Sequence, residues 1–78
     1  MIDFEDVISR IKHIISSDIP KKKVLDKDVA DTLGLTPQYF AVIKKRQKIP
    51  YEHIASFCRD HHISMNWILM AQGPAMWI

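Results

Sequence analysis

Residues 26–48 read DKDVADTLGLTPQYFAVIKKRQK, and the fold follows from how this stretch divides. Val29, Ala30 and Leu33 stand at the i, i+1, i+4 spacing that gives a helix one apolar stripe. Gly34 comes next, where a chain leaving a helix often needs positive φ and only glycine enters that region without a Cβ penalty. Leu35 is the apolar plug for the corner. Thr36-Pro37 opens a second helix, a hydroxyl N-cap followed by proline at the first helical position. Tyr39, Phe40 and Ile43 supply its inner face. Gln38, Ala41, Val42 and Lys45 supply its outer face, and Lys44, Lys45, Arg46 and Lys48 crowd its end.

Each part has a mechanical reason. Ala30 is small where the two helices must cross closely, Gly34 permits the sharp turn, and Phe40 and Ile43 hold the second helix against the first. This is a helix-turn-helix pattern, in which the second helix enters the DNA major groove. An ordinary helical hairpin shares the apolar spacing. The outer face separates the two readings, because here it is short, polar or basic rather than acidic.

Working outward, the 78 residues show no second compositional block, so residues 1–78 are read as one domain. Nearly half are apolar, only two are glycine, and β-branched alternation is absent, which predicts an all-α bundle. A chain this short buries a modest core and gains from dimerisation. The single Cys58 excludes an internal disulfide and suits a reducing cytoplasm. No apolar run approaches the roughly 20 residues that cross a bilayer, and the acidic start MIDFED is no signal peptide. A cytoplasmic protein without membrane contact is expected. The overall charge of +2 says little, but its distribution is uneven. Residues 20–48 carry eight basic side chains against three aspartates, a net +5, while the remainder is net −3. Phosphate contact with counterion release requires such a patch.

Asp3 caps the first predicted helix, with Glu5 and Asp6 favouring the positive end of its dipole. Phe4, Val7, Ile8, Ile11, Ile14 and Ile15 recur at three- and four-residue steps, with Arg10, Lys12 and His13 outside, so this helix is a core wall. Ser16-Ser17-Asp18 is expected to break it before Ile19-Pro20. Lys21, Lys22 and Lys23 form a basic loop, open to reading as a phosphate contact or as a solvated charge run. Asp26 is the expected N-cap of the next helix, its carboxylate turned back onto the helix amides and Leu25 acting as a hydrophobic staple. Pro50 starts a fourth helix with Ile54, Phe57 and Cys58 inward. Ser64 caps a short fifth that holds Met65, Trp67, Ile68 and Leu69 and is expected to end near Gly73-Pro74. Trp67 is expected to close the bottom of the core. The tail Ala75-Met76-Trp77-Ile78 is apolar to its end, which suits an intramolecular dock, contact with a second copy, or a longer chain.

With VADTLG at Val29–Gly34, KKRQKIP at Lys44–Pro50 and ISMNWILMAQGP at Ile63–Pro74, the chain resembles the N-terminal DNA-binding domain of phage CI-type repressors. These belong to the lambda-repressor-like helix-turn-helix superfamily, and the resemblance covers about residues 24–74. It implies a five-helix lambda-repressor-like bundle, cytoplasmic, binding a palindromic operator as a homodimer. The chain departs from the family pattern at Ile43, where a Trp often stands, and at Ala71, where the family has Gly. Such repressors often add a C-terminal domain. Nothing in these residues supplies one, so the chain is either a free-standing regulator or the DNA-binding part of something longer.

The function expected is sequence-specific binding of double-stranded DNA by a transcriptional regulator, with the recognition helix at about residues 36–45. Gln38 is placed to bond an adenine edge, and Ala41 and Val42 to meet thymine methyls. Thr36, Pro37 and Tyr39 sit at the helix start as phosphate or base contacts, Tyr39 being equally readable as half-buried core. Lys44, Lys45, Arg46, Lys48 and Lys22 are assigned to phosphates. The rival expectation is a protein–protein interaction module, an adaptor or antirepressor of the same fold without DNA binding. Cys58 and His62 stand four apart, a spacing two metal ligands can use, but Cys58 lies on the apolar stripe and no second ligand pair accompanies it. No metal, no cofactor and no enzyme activity are expected.

Overall fold

The first helix begins as the sequence directs. Asp3 Oδ2 accepts from the Asp6 amide at 3.1 Å, and α1 (Phe4–Asp18) follows in a computed structural model that describes residues 2–18 and 23–74. Four more helices succeed it: α2 (Asp26–Leu33), α3 (Pro37–Arg46), α4 (Tyr51–His61) and α5 (Met65–Met70). The described residues contain no β-strand. Helix α1 packs on α5 and α2; α2 also packs on α3 and α4, and α4 on α5. The bundle measures 34 × 32 × 19 Å.

The core is one cluster to which every helix contributes. Phe4, Val7, Ile8, Ile11 and Ile15 come from α1, and Val29, Ala30 and Leu33 from α2. Phe40 and Ile43 come from α3, Ile54, Phe57 and Cys58 from α4, and Ile68 from α5. Burial of each large aliphatic side chain stabilises the fold by about 1.5–3 kcal/mol. No polar or charged residue among those described is buried. Trp67 is half-buried at the margin rather than sealing the core, its ring 6.4 Å from that of His13.

Helices α2, α3, α4 and α5 each end on a left-handed residue. At Gly34 (φ 76°) the turn is a Schellman motif: the Leu35 amide donates to Ala30 O at 2.8 Å and the Gly34 amide to Asp31 O at 3.2 Å. A Cβ built at Gly34 would meet nothing within 4 Å, so glycine is favoured there by φ alone. The same motif recurs at Gln47 (φ 56°) and His62 (φ 57°), where Lys48 N donates to Ile43 O and Ile63 N to Cys58 O. Leu35 and Ile63, the residues just past two of these caps, turn back into the core.

Three elements differ from expectation. Helix α1 runs through Ser16 and Ser17 instead of breaking there, because both hydroxyls donate to His13 O and stay within the helix. Leu25, not Asp26, occupies the N-cap position of α2; it is 49% exposed and forms no staple. The cap is supplied backwards by Asp28, whose Oδ2 accepts from the Leu25 amide at 2.9 Å. Helix α5 stops at Met70, before Gly73, because Ala71 (φ 54°) already takes the left-handed conformation. The tail Ala75–Ile78 lies outside the described residues.

Arg10, placed outside by its position on the stripe, instead ties α1 to the end of α5. Its Nε donates to Ile68 O at 2.7 Å and its Nη2 to Leu69 O at 3.1 Å, capping two carbonyls at the negative pole of a six-residue helix. Arg10→Ala is expected to cost about 1.5–3 kcal/mol, with Arg10→Lys restoring only part of it, measured by urea unfolding. Ala71→Gly is expected to have the opposite sign, raising stability by about 1 kcal/mol in the same assay, because it relieves a left-handed alanine.

Candidate nucleic-acid interface

Helix α3 has an unequivocal inside and outside. Thr36 caps it, its hydroxyl accepting from the Tyr39 amide at 3.1 Å, and Pro37 fills the first turn where no amide partner is needed. Phe40 and Ile43 are each 2% exposed, with the Phe40 ring 6.4 Å from Phe4 of α1. The opposite side carries Gln38, Ala41, Val42 and Lys45, all exposed, in the i, i+3, i+4, i+7 order of a single helical stripe. Tyr39, open to two readings from sequence, is 47% exposed and stands with Arg46 on one flank of that stripe. Val42 is 47% exposed as well, so the stripe mixes an amide, two small apolar groups and a cation.

The other flank of α3 faces α2 and α1, and there the positive charge is not free. Lys44 Nζ donates to Asp26 Oδ2, while Lys12 Nζ of α1 lies 3.0 Å from Asp26 Oδ1. The carboxylate expected to fold back onto the α2 amides therefore spans two lysines on two other helices. Asp28 meets the Leu25 amide, just ahead of the helix. Gln47 extends the contact between α1 and the end of α3, its amide reaching Glu5 Oε1 at 3.4 Å and Lys44 O at 2.8 Å. Between these elements runs an open groove of about 550 Å3 lined by Glu5, Asp26, Lys27, Pro37, Ala41, Lys44 and Lys45.

The predicted cations thus separate into groups. Lys45, Arg46 and Lys48 are exposed and make no ion pair among the described residues. Lys44 is already engaged, and Lys22 lies outside the described residues. Lys27, absent from the sequence-based set, joins Lys45 on the groove. Its position in the first turn of α2 gave no hint of this, because only the crossing of α2 and α3 brings the two together.

Cys58 and the histidines do not assemble. Cys58 is 3% exposed, and burial pushes its thiol up to about 11. The His61 ring packs 4.6 Å from Phe57, and His62 is exposed in the left-handed turn after α4. Among the described residues no three His, Cys, Asp or Glu side chains stand together as a metal site. Among the described residues no helix is long and apolar enough to cross a membrane.

Compared with protein-family models, with curated proteins and with solved structures, the chain matches none.

The hydrogen bond from Lys44, opposed by partial burial and assisted by Lys12, holds the Asp26 carboxyl below its ordinary 3.8. A carboxylate whose pKa is depressed by folding stabilises the fold above its unfolded pKa, and that contribution is lost as pH falls through the folded value. Wild type and Asp26→Asn should therefore differ at pH 7, with the variant less stable, and converge once the pH has fallen through the lowered pKa of Asp26. Urea unfolding across that range would measure the gap, and a gap that stayed constant with pH would show that the ion pairs contribute nothing.

Proposed function

We propose that this chain is a sequence-specific, double-stranded DNA-binding transcriptional regulator of the phage-repressor-like kind. In this reading α2, the turn at Gly34 and α3 form its helix-turn-helix, within a lambda-repressor-like bundle. The observation that carries the reading is the two-sidedness of α3: Phe40 and Ile43 lock it into the core while Gln38, Ala41, Val42 and Lys45 stand outward along one stripe. A helix held this way enters a major groove about 12 Å wide with its side chains toward base edges. Lys45, Arg46 and Lys48, unpaired among the described residues, meet phosphates along the same side. Thr36, Pro37 and Tyr39 sit where the helix start meets the DNA backbone, and Lys27 adds a contact across the groove.

Reading and positioning then divide by residue. Gln38 offers the bidentate amide that matches adenine, and Ala41 and Val42 offer apolar contact to thymine methyls. At 34 Å, the longest dimension of the domain is about one turn of B-DNA, so a single copy covers one half-site and a homodimer covers a palindromic operator. The proposal is of a cytoplasmic binding protein, neither an enzyme nor a membrane protein.

A second reading rests on Tyr39 and Val42, each 47% exposed on the same helix. Apolar groups of that size also suit a protein partner, which would make the chain an adaptor or antirepressor. Titration with random duplex DNA separates the two: a DNA-binding protein associates at micromolar or tighter affinity, falling steeply with salt, and an adaptor does not.

Selection of bound DNA from a random pool should recover an inverted repeat. On that sequence Gln38→Ala should cost roughly 1–3 kcal/mol and relax preference at one base position. Lys45→Ala should weaken all sequences alike and reduce the salt slope by about 1. Equal loss of specificity in both variants would overturn the assignment of roles.

A further inference from the structure

We infer that Asp26 acts as an internal phosphate surrogate that holds down non-specific DNA affinity by occupying Lys44 and Lys12. The inference deepens the DNA-binding reading and rests on it. Its basis is the ion-pair geometry: one carboxylate takes an ammonium on each oxygen, Lys12 at 3.0 Å on one side and Lys44 on the other. All three side chains are accessible, with 35%, 37% and 45% of the Lys12, Asp26 and Lys44 side-chain surfaces exposed. The cluster is therefore reachable by a DNA phosphate, and the two lysines are the groups such a phosphate would seek.

Location makes the competition direct. Asp26 lines the same groove as Lys27 and Lys45, beside Ala41 of the exposed α3 stripe. Asp26 also occupies the first turn of α2 together with Asp28, which accepts the Leu25 amide. Helix N-termini attract phosphate through free amides and the positive dipole end. Here two carboxylates stand at that end, so the α2 terminus repels phosphate where a helix start would otherwise draw it. Phosphates contacting this side must displace Asp26 from Lys44 or stand next to its charge. The penalty applies to any DNA, whereas base-edge contacts from Gln38 are made only on matching sequence. Asp26 consequently lowers sequence-independent binding and leaves discrimination to the outer stripe of α3.

Asp26→Asn keeps the side-chain shape and removes the charge. On random duplex DNA it should bind about tenfold more tightly than wild type, with the slope of log affinity against log salt steeper by about 1, as one further phosphate contact requires. Asp31→Asn removes an equal charge from an exposed position on the same helix and should change both quantities much less. Replacing Lys44 by Gln in the Asp26→Asn background should return the slope towards the wild-type value. Circular dichroism of each variant shows whether the helices are kept. If Asp26 were only structural, its loss would loosen α3 and weaken DNA binding, the opposite sign, and that result overturns the inference. So does a gain no larger than that of Asp31→Asn. If wild type and every variant fail to bind DNA, the DNA-binding reading itself falls and this inference with it, an outcome distinct from wild-type binding without an Asp26 effect.

Discussion

The left-handed exit from α2 at Gly34 is the constraint on which the arrangement depends. It directs the chain so that the Leu35 amide closes onto Ala30 O and the Leu35 side chain enters the core. Three residues later α3 starts with its Phe40–Ile43 side facing inward. Ala30, with no exposed surface, leaves room for α3 and α4 to approach α2. A residue with a Cβ at position 34 would meet no clash, but it would have to hold a left-handed φ where the crossing geometry is set. The chain accepts that cost at Gln47, His62 and Ala71, where each turn follows a helix whose packing is already established by its own apolar face.

Charge in this molecule is organised around where it is already satisfied. The cationic segment looked uniform along the chain, yet its members have different fates. Lys44 faces inward along the rim and meets Asp26, because the helical step from Phe40 places it on the flank beside α2. Lys45, one residue on, is turned to the solvent stripe. Arg10 likewise leaves the solvated side of α1 to satisfy carbonyls at the end of α5, which at six residues is too short to rely on its own hydrogen bonds. Acidic residues take the complementary part: Asp28 caps the backbone, Asp26 links three helices, and Glu5 receives Gln47.

These placements give the DNA-binding reading its mechanical content. A recognition element must be rigid on one side and chemically open on the other, and α3 meets both needs because its buried and exposed residues alternate cleanly with the helical period. The groove beside it brings Lys27 near Lys45 and sets Asp26 between the cations, so the same surface contains attraction and restraint. Cys58, embedded among Ile54 and Phe57 on α4, is a packing residue with a thiol that burial keeps protonated at neutral pH.

How much of this was legible before the fold follows physical lines. Apolar periodicity identified the inner faces of α1 and α4, and that of α3 except for Tyr39, which is exposed instead of facing inward, since burial follows the 3.6-residue repeat directly. The caps at Asp3, Thr36 and Ser64 were legible because a hydroxyl or carboxylate three residues before an amide is a local event. The left-handed ends at Gln47 and Ala71 were not, because nothing but glycine advertises that conformation in sequence. Nor was the role of Asp26, whose partner Lys44 is 18 residues away, or of Arg10, whose acceptors are 58 and 59 residues away. The sequence by itself determined the helices and which side of each is apolar, because those depend on neighbours within one or two turns. Only the tertiary structure decided which charges remain free, because an ion pair depends on helices meeting in space and no local pattern encodes that meeting.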